Sequence, residues 1–139
     1  MFNLLENVHK QIQMPGGTVG LSVLTKACRN RPDLGAFKTG KPGNAFSILL
    51  TYQPTQEVVD FAEEAGYRVM VVEDTHGGQV VIRWFGWNFT PVLSETLYLS
   101  GFDEVSRMLL SVNNGLGHTL APVRYLAPSE VSVIVIKGV

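Results

Sequence analysis

The chain contains three histidines and a single cysteine, side chains often used for acid–base, nucleophilic or metal chemistry. His76 is preceded by two carboxylates, Glu73 and Asp74, and these three residues could form a metal or acid–base site. However, Asp74 and His76 belong to the segment DTHGG, and Glu73 directly precedes it. We predict this segment to be a five-residue hairpin loop. Asp and Gly commonly serve turn geometry in such loops. The local sequence therefore does not favour a catalytic role for this group.

The other candidate residues lack partners at motif spacing. His9 is predicted to lie on a helix, and His118 follows a glycine-rich break. Cys28 is expected to be a small buried apolar residue rather than a reactive thiol. We therefore predict no catalytic residue, no metal site and no cofactor.

A glycine-rich segment from Gly35 to Lys41 resembles a phosphate-binding P-loop. Pro42 stands where a Ser or Thr would bind magnesium, and no predicted strand precedes the segment. This interpretation is therefore rejected.

The most unusual local feature is an aromatic cluster in the sequence WFGWNF. Aromatic side chains commonly anchor interfaces and small-molecule pockets. Trp84 and Phe85 would face opposite sides of a regular strand, so one core cannot bury the whole cluster. The predicted binding residues are Trp84, Trp87, Phe89, Asn88 and His118.

Positive charge is concentrated in the first third of the chain, although the net charge is only −1. Phosphate contacts of nucleic-acid-binding proteins use such residues. An anion or nucleic acid could be contacted by Lys26, Arg29, Arg31, Lys38 and Lys41. The cluster around Arg83 lacks the glycine of an RNA-recognition motif, so nucleic acid is not the favoured partner.

Composition describes a globular chain. Its 139 residues are 45% hydrophobic and 17% charged, which argues against intrinsic disorder. No apolar run approaches the ~18 residues that a membrane helix requires, and the N-terminus does not resemble a signal peptide. A single cysteine excludes an internal disulfide. We expect a cytoplasmic protein, with a phage or mobile element among the possible sources.

The fold prediction is centred on residues 46–88, which read as strand, helix, strand, turn and strand. A second helix is predicted from Ser100 to Val112, followed by strands at 119–127 and 130–137. This order matches a ferredoxin-like βαββαβ sheet with an extra C-terminal strand, in the α+β class. Helices are predicted at 2–13 and 18–29, and the latter segment also alternates like a strand.

The sequence therefore predicts one domain covering residues 1–139. It comprises a helical extension at 1–30, a basic Gly/Pro loop at 31–45 and an α+β core at 46–139. We predict a non-catalytic binding or adaptor protein that self-associates through its aromatic cluster. One alternative is a small-molecule-binding protein or small enzyme with a pocket between paired sheets. The other is nucleic-acid binding through residues 26–41.

Overall fold

The structure is a computed structural model that describes residues 7–25, 34–37, 46–73, 75–90, 96–118 and 122–137. It contains a six-stranded mixed sheet and one ten-residue helix, so the predicted α+β class is confirmed. No helix in these ranges is both long and apolar enough to cross a membrane.

Within these ranges the chain forms eight strands and two α-helices, with one short 3₁₀ turn at His76–Gly78. The helices are α1 (Leu34–Phe37) and α2 (Gln56–Ala65). The strands are β1 (Val8–Met14), β2 (Gly17–Leu24), β3 (Phe46–Thr51), β4 (Val69–Val72), β5 (Ile82–Trp84), β6 (Trp87–Phe89), β7 (Gly101–Val105) and β8 (Met108–Val112).

The large sheet has the strand order β1-β2-β3-β4-β8-β7. Its four inner strands are parallel neighbours, and each outer strand is antiparallel to the strand beside it. The ferredoxin-like arrangement is not confirmed, because that sheet is antiparallel. The parallel core instead brings the carboxyl ends of β2, β3, β4 and β8 to one edge.

The core lies between one face of this sheet and α2. Alternate residues of the parallel strands face it, including Leu49, Met70 and Leu110, each 0% exposed. Val58 and Ala62 pack from the predicted apolar stripe of α2. Gly66 ends that helix with a left-handed backbone, which glycine adopts without a steric penalty. The sequence-based predictions of α2 and of β4 as an inner strand are confirmed.

The predicted N-terminal helical extension is wrong where the structure describes it. Residues 8–14 and 17–24 form the antiparallel hairpin of β1 and β2, and β2 pairs in parallel with β3. The segment 17–24 follows the strand-like alternation of Val19, Leu21 and Val23. Pairing in the sheet outweighs the weak helix propensity of the residues that follow. The first strands are therefore part of the main sheet.

The predicted helix from Ser100 to Val112 is also wrong, because these residues form the β7–β8 hairpin with its turn at Ser106 and Arg107. The apolar residues of this segment fit both a helical spacing of four and a strand spacing of two. The segment becomes a strand because β8 can pair with the edge of β4. The strand predicted at 130–137 is not observed, because these described residues have no regular secondary structure. The described part of 119–127 contributes one bridge, between Tyr125 and Val80.

A buried polar network connects the sheet to α1. The Tyr67 hydroxyl donates to Ser22 Oγ at 2.8 Å, and Ser22 Oγ lies 2.7 Å from His9 Nδ1. His9 Nε2 lies 3.3 Å from the Phe37 carbonyl oxygen, which can only accept, so Nε2 carries the proton. His9 therefore lies on β1 and not on the predicted helix. On β1 its ring has structural partners.

Removing the Tyr67 hydroxyl is expected to destabilise the fold mainly below pH 10. Burial raises the pKa of Tyr67 above its usual value of 10.0, although the hydrogen bond to Ser22 acts in the opposite direction. The folded state therefore favours the neutral phenol, whose contribution is complete below the unfolded pKa and declines as the pH rises through the folded pKa. Tyr67→Phe should cost about 1 kcal/mol at pH 8.

Urea unfolding at pH 8 and pH 10.5 measures this difference. The destabilisation caused by Tyr67→Phe should be smaller at the higher pH. Tyr125→Phe is the matched control, because Tyr125 is 57% exposed. An equal cost of Tyr67→Phe at both pH values would contradict the proposed role of phenol burial.

Candidate functional site

Polar residues collect where β4 and β8 end. Glu73, Thr75 and His76 follow β4, whereas Asn113 and Asn114 follow β8. The two strands are paired in parallel, with Val72 opposite Val112, so both loops leave the same edge of the sheet. In open sheets with parallel strands, ligands bind in the crevice outside the carboxyl ends. This edge is therefore the candidate site.

The loop after β4 is not the predicted hairpin loop. Its preceding strand pairs in parallel with β3 and β8, whereas the strand that follows the loop pairs with β6 in a separate sheet. The turn geometry that argued against a functional role for His76 therefore does not apply.

The backbone of this loop has positive φ at four consecutive residues. The φ angles are +48° at His76, +63° at Gly77, +81° at Gly78 and +53° at Gln79. Left-handed helical backbone costs about 1–2 kcal/mol for a residue with a Cβ, such as His76. Gln79, with φ +53° and ψ −53°, lies outside the main allowed regions, so both residues are strained. Such strain persists where surrounding structure enforces it and is common at functional sites.

The His76 ring packs beside backbone that carries no side chain. A Cβ built on Gly115 would lie 3.8 Å from His76 Nδ1 and 3.9 Å from Glu73 Oε1. A Cβ built on Gly117 would lie 3.5 Å from His76 Cε1. The imidazole and the Glu73 carboxylate thus share one small space beside the loop after β8.

His76 Nδ1 is buried and has no hydrogen-bond partner among the described residues. An unpaired buried polar atom costs about 1–3 kcal/mol. A ligand that hydrogen-bonds to this nitrogen would recover that free energy. Asn114 Oδ1 and Arg124 Nε, at the same edge, are likewise buried without a partner among the described residues, so a ligand could satisfy several polar atoms here.

Asn114 is buried against the same loop, with 6% of its surface exposed. Its Nδ2 donates to the Pro128 carbonyl at 3.0 Å, which fixes the orientation of the amide. Its Oδ1 then faces Gly77, where a Cβ would lie only 2.5 Å away. Glycine at position 77 is therefore required both by the close approach and by the positive φ.

Residues 123–132 form a strap across the two loops. Tyr125 exchanges backbone hydrogen bonds with the 79–81 segment, and Glu130 N donates to Gly115 O at 3.1 Å. Asn113 Nδ2 donates to Ser132 Oγ at 2.7 Å. The strap thus connects the loop after β4 to the loop after β8.

Two threonines fix the β4 loop from other directions. Thr75 Oγ1 donates to Leu99 O, and Thr90 Oγ1 donates to Gly78 O, each at 2.7 Å. Thr90 follows directly after β6, so the aromatic hairpin of β5 and β6 is joined at its base to the loop that carries His76.

The predicted aromatic binding residues lie on this hairpin, away from the core. Trp84 is 64%, Trp87 73% and Phe89 54% exposed. Asn88 lies in β6, with its backbone opposite Arg83. Their predicted binding role stays a prediction.

His118 is exposed in the loop after β8, one residue beyond the glycine that contacts His76. Its predicted binding role stays a prediction as well. The structure thus puts His118 close to the candidate edge and Trp84 on a separate two-stranded sheet.

Several sequence-derived candidates lie outside the described residues. They are Asp74, Cys28 and the predicted anion or nucleic-acid contacts Lys26, Arg29, Arg31, Lys38 and Lys41.

Sequence reasoning considered Glu73 and His76 but set them aside, and it missed Asn114 and Arg124. The sequence feature that could have indicated this site is that His76 and Asn114 both follow shortly after a strongly apolar strand. Strands apolar on both faces are typical of parallel sheets, whose carboxyl ends bind ligands.

Two curated bacterial proteins are similar to this chain. The uncharacterized metallophosphoesterase YkuE of Bacillus subtilis is 26% identical over 138 residues, covering 99% of this chain and 47% of the relative. The uncharacterized metallophosphoesterase Cj0846 of Campylobacter jejuni is 31% identical over 108 residues, covering 77% of this chain and 27% of the relative. The chain thus spans at most about half the length of these relatives. No protein-family model matches it, and no solved structure matches it significantly.

These similarities correct the functional prediction. The predicted non-catalytic adaptor role is wrong, because both relatives carry the name of an enzyme class, whereas self-association stays a prediction. The expected protein-binding role and phage or mobile-element origin are likewise corrected, since the relatives are bacterial phosphoesterases by name. The alternative pocket between paired ferredoxin-like sheets loses its basis, as that sheet arrangement is not confirmed.

Proposed function

We propose that this chain forms part of the active site of a phosphoesterase, an enzyme that hydrolyses phosphate esters. The substrate phosphoryl group approaches the carboxyl edge of β4 and β8. The observation that carries the proposal is the strained His76, whose buried Nδ1 has no hydrogen-bond partner in the described part of the chain. The names of the two relatives support the same reaction class.

The reaction adds water across a phosphorus–oxygen bond. Water attacks phosphorus, the ester bond breaks, and the departing oxygen takes up a proton. His76 is the described side chain suited to transfer that proton, because imidazole both donates and accepts near neutral pH. Glu73 orients the attacking water from the same small space.

The relatives' names imply a metal ion, but the described residues do not by themselves fit one. Glu73 and His76 are suitable ligand types. In the described ranges, however, no group of three His, Cys, Asp or Glu residues could hold a metal ion. No step of the proposed reaction is therefore assigned to a metal.

Hydrolysis of chromogenic phosphate esters tests the proposal. The purified protein should release nitrophenol from p-nitrophenyl phosphate or bis(p-nitrophenyl) phosphate, in buffer with or without millimolar Mn²⁺. A His76→Asn variant purified in the same way controls for contaminating phosphatases. Equal release by both proteins in every buffer would contradict the proposed function.

A further inference from the structure

Arg124 connects the segments that surround His76. Its Nη1 donates to His76 O at 3.2 Å and to Ala127 O at 3.1 Å. Its Nη2 donates to the carbonyls of the loop after β8, at Asn114 (2.8 Å), Gly115 (3.2 Å) and Gly117 (2.5 Å). One half-buried guanidinium thus joins the loop after β4, the loop after β8 and the strap.

These contacts need the shape of the guanidinium as well as its charge. Two nitrogens held in one plane reach five carbonyl oxygens at once, whereas the ammonium of lysine is a single point with three donors. Carbonyl oxygens that meet a charged donor form hydrogen bonds roughly twice as strong as neutral ones. Arg124 therefore fixes the spacing between these loops more firmly than any uncharged residue could.

The same carbonyls belong to the residues that enclose the His76 ring. A Cβ built on Gly115 or on Gly117 would lie 3.8 Å or 3.5 Å from the imidazole, respectively, and Asn114 packs on Gly77. Arg124 also holds the carbonyl of His76 itself, at the first residue of the strained turn. Moving the loop after β8 relative to this turn would move the imidazole relative to Glu73.

We propose that Arg124 is a positioning residue that sets the His76 imidazole against Glu73 and the loop after β8. It acts through backbone carbonyls and touches no substrate. Its effect on catalysis rests on the proposed phosphoesterase function, whereas its effect on the placement of His76 does not.

The Arg124→Lys variant tests this role, because it keeps the positive charge and removes the planar donor pair. The Hε1 proton resonance of His76 should shift in NMR spectra at fixed pH, while that of His9, which lies on β1, serves as the reference in the same spectra. If the protein hydrolyses phosphate esters, kcat should fall roughly 10- to 100-fold with KM nearly unchanged, since small misplacements of catalytic groups cost rates of this order. Arg68→Lys is the control, because Arg68 is exposed and lies before β4, at the opposite end of that strand.

A shifted His76 resonance in a folded variant supports the positioning role even if wild-type protein shows no hydrolysis, in which case only the proposed function fails. An unshifted resonance in a folded variant overturns the positioning role. Arg124→Gln, which keeps a planar amide donor, is the second variant if lysine prevents folding. Loss of folding in both variants would make Arg124 a folding residue and would also overturn the inference.

Discussion

Replacing His76 with asparagine is expected to reduce phosphoester hydrolysis by a factor of about 10² to 10⁴, the usual contribution of a positioned acid–base group. Asparagine tolerates the left-handed backbone at this position, so the φ of +48° is not a reason for the variant to unfold. Its amide cannot transfer a proton near neutral pH. The measurement is kcat/KM with a chromogenic phosphate ester, accompanied by thermal unfolding.

His118→Asn is the comparison for this experiment. His118 is exposed near the same edge, whereas the His76 ring lies in the space that a Cβ on Gly117 would approach to 3.5 Å. The His118 variant is expected to lose less activity than the His76 variant, because His118 is not proposed to transfer the proton. Similar losses in both variants would indicate a general perturbation of this edge and would contradict a specific role for His76.

Replacing Gly77 with alanine is expected to give the largest loss of stability, roughly 2–5 kcal/mol. The new methyl group would adopt a left-handed backbone and would lie 2.5 Å from Asn114 Oδ1. Asn114 cannot withdraw freely, because its Nδ2 is bonded to Pro128 O and its carbonyl to Arg124. Urea unfolding measures the change.

Gly86→Ala separates the two causes of this loss. Gly86 has a φ of +82°, and a Cβ built there would meet nothing within 4 Å, so only the backbone cost of about 1–2 kcal/mol is expected. In an Asn114→Ala background, Gly77→Ala should also cost less, since its close contact is gone. Equal losses at Gly77 and Gly86 would show that the close contact with Asn114 is unimportant.

The sequence was sufficient for the central elements because their patterns are unambiguous. The stripe of α2 with Gly66 at its end allows only an amphipathic helix, and β4 is apolar on both faces. The segments 17–24 and 101–112 satisfied helical and strand periodicity together. Their conformation depended on a neighbouring strand that the local sequence does not reveal.

In the candidate site, too, some features follow from the local sequence and others depend on tertiary contacts. The sequence by itself identified His76, Glu73 and Asp74 as residue types able to do chemistry, although it did not favour a catalytic role for them, and it showed that glycines would bend the chain beside them. Only the tertiary structure decided that β4 and β8 run in parallel side by side, although 35 residues separate the end of β4 from the start of β8. That pairing brings His76 to Gly115 and Gly117, and Arg124 to both loops, because parallel strands place their carboxyl ends at one edge. Contacts between residues so far apart in the chain leave no local periodicity from which to predict them.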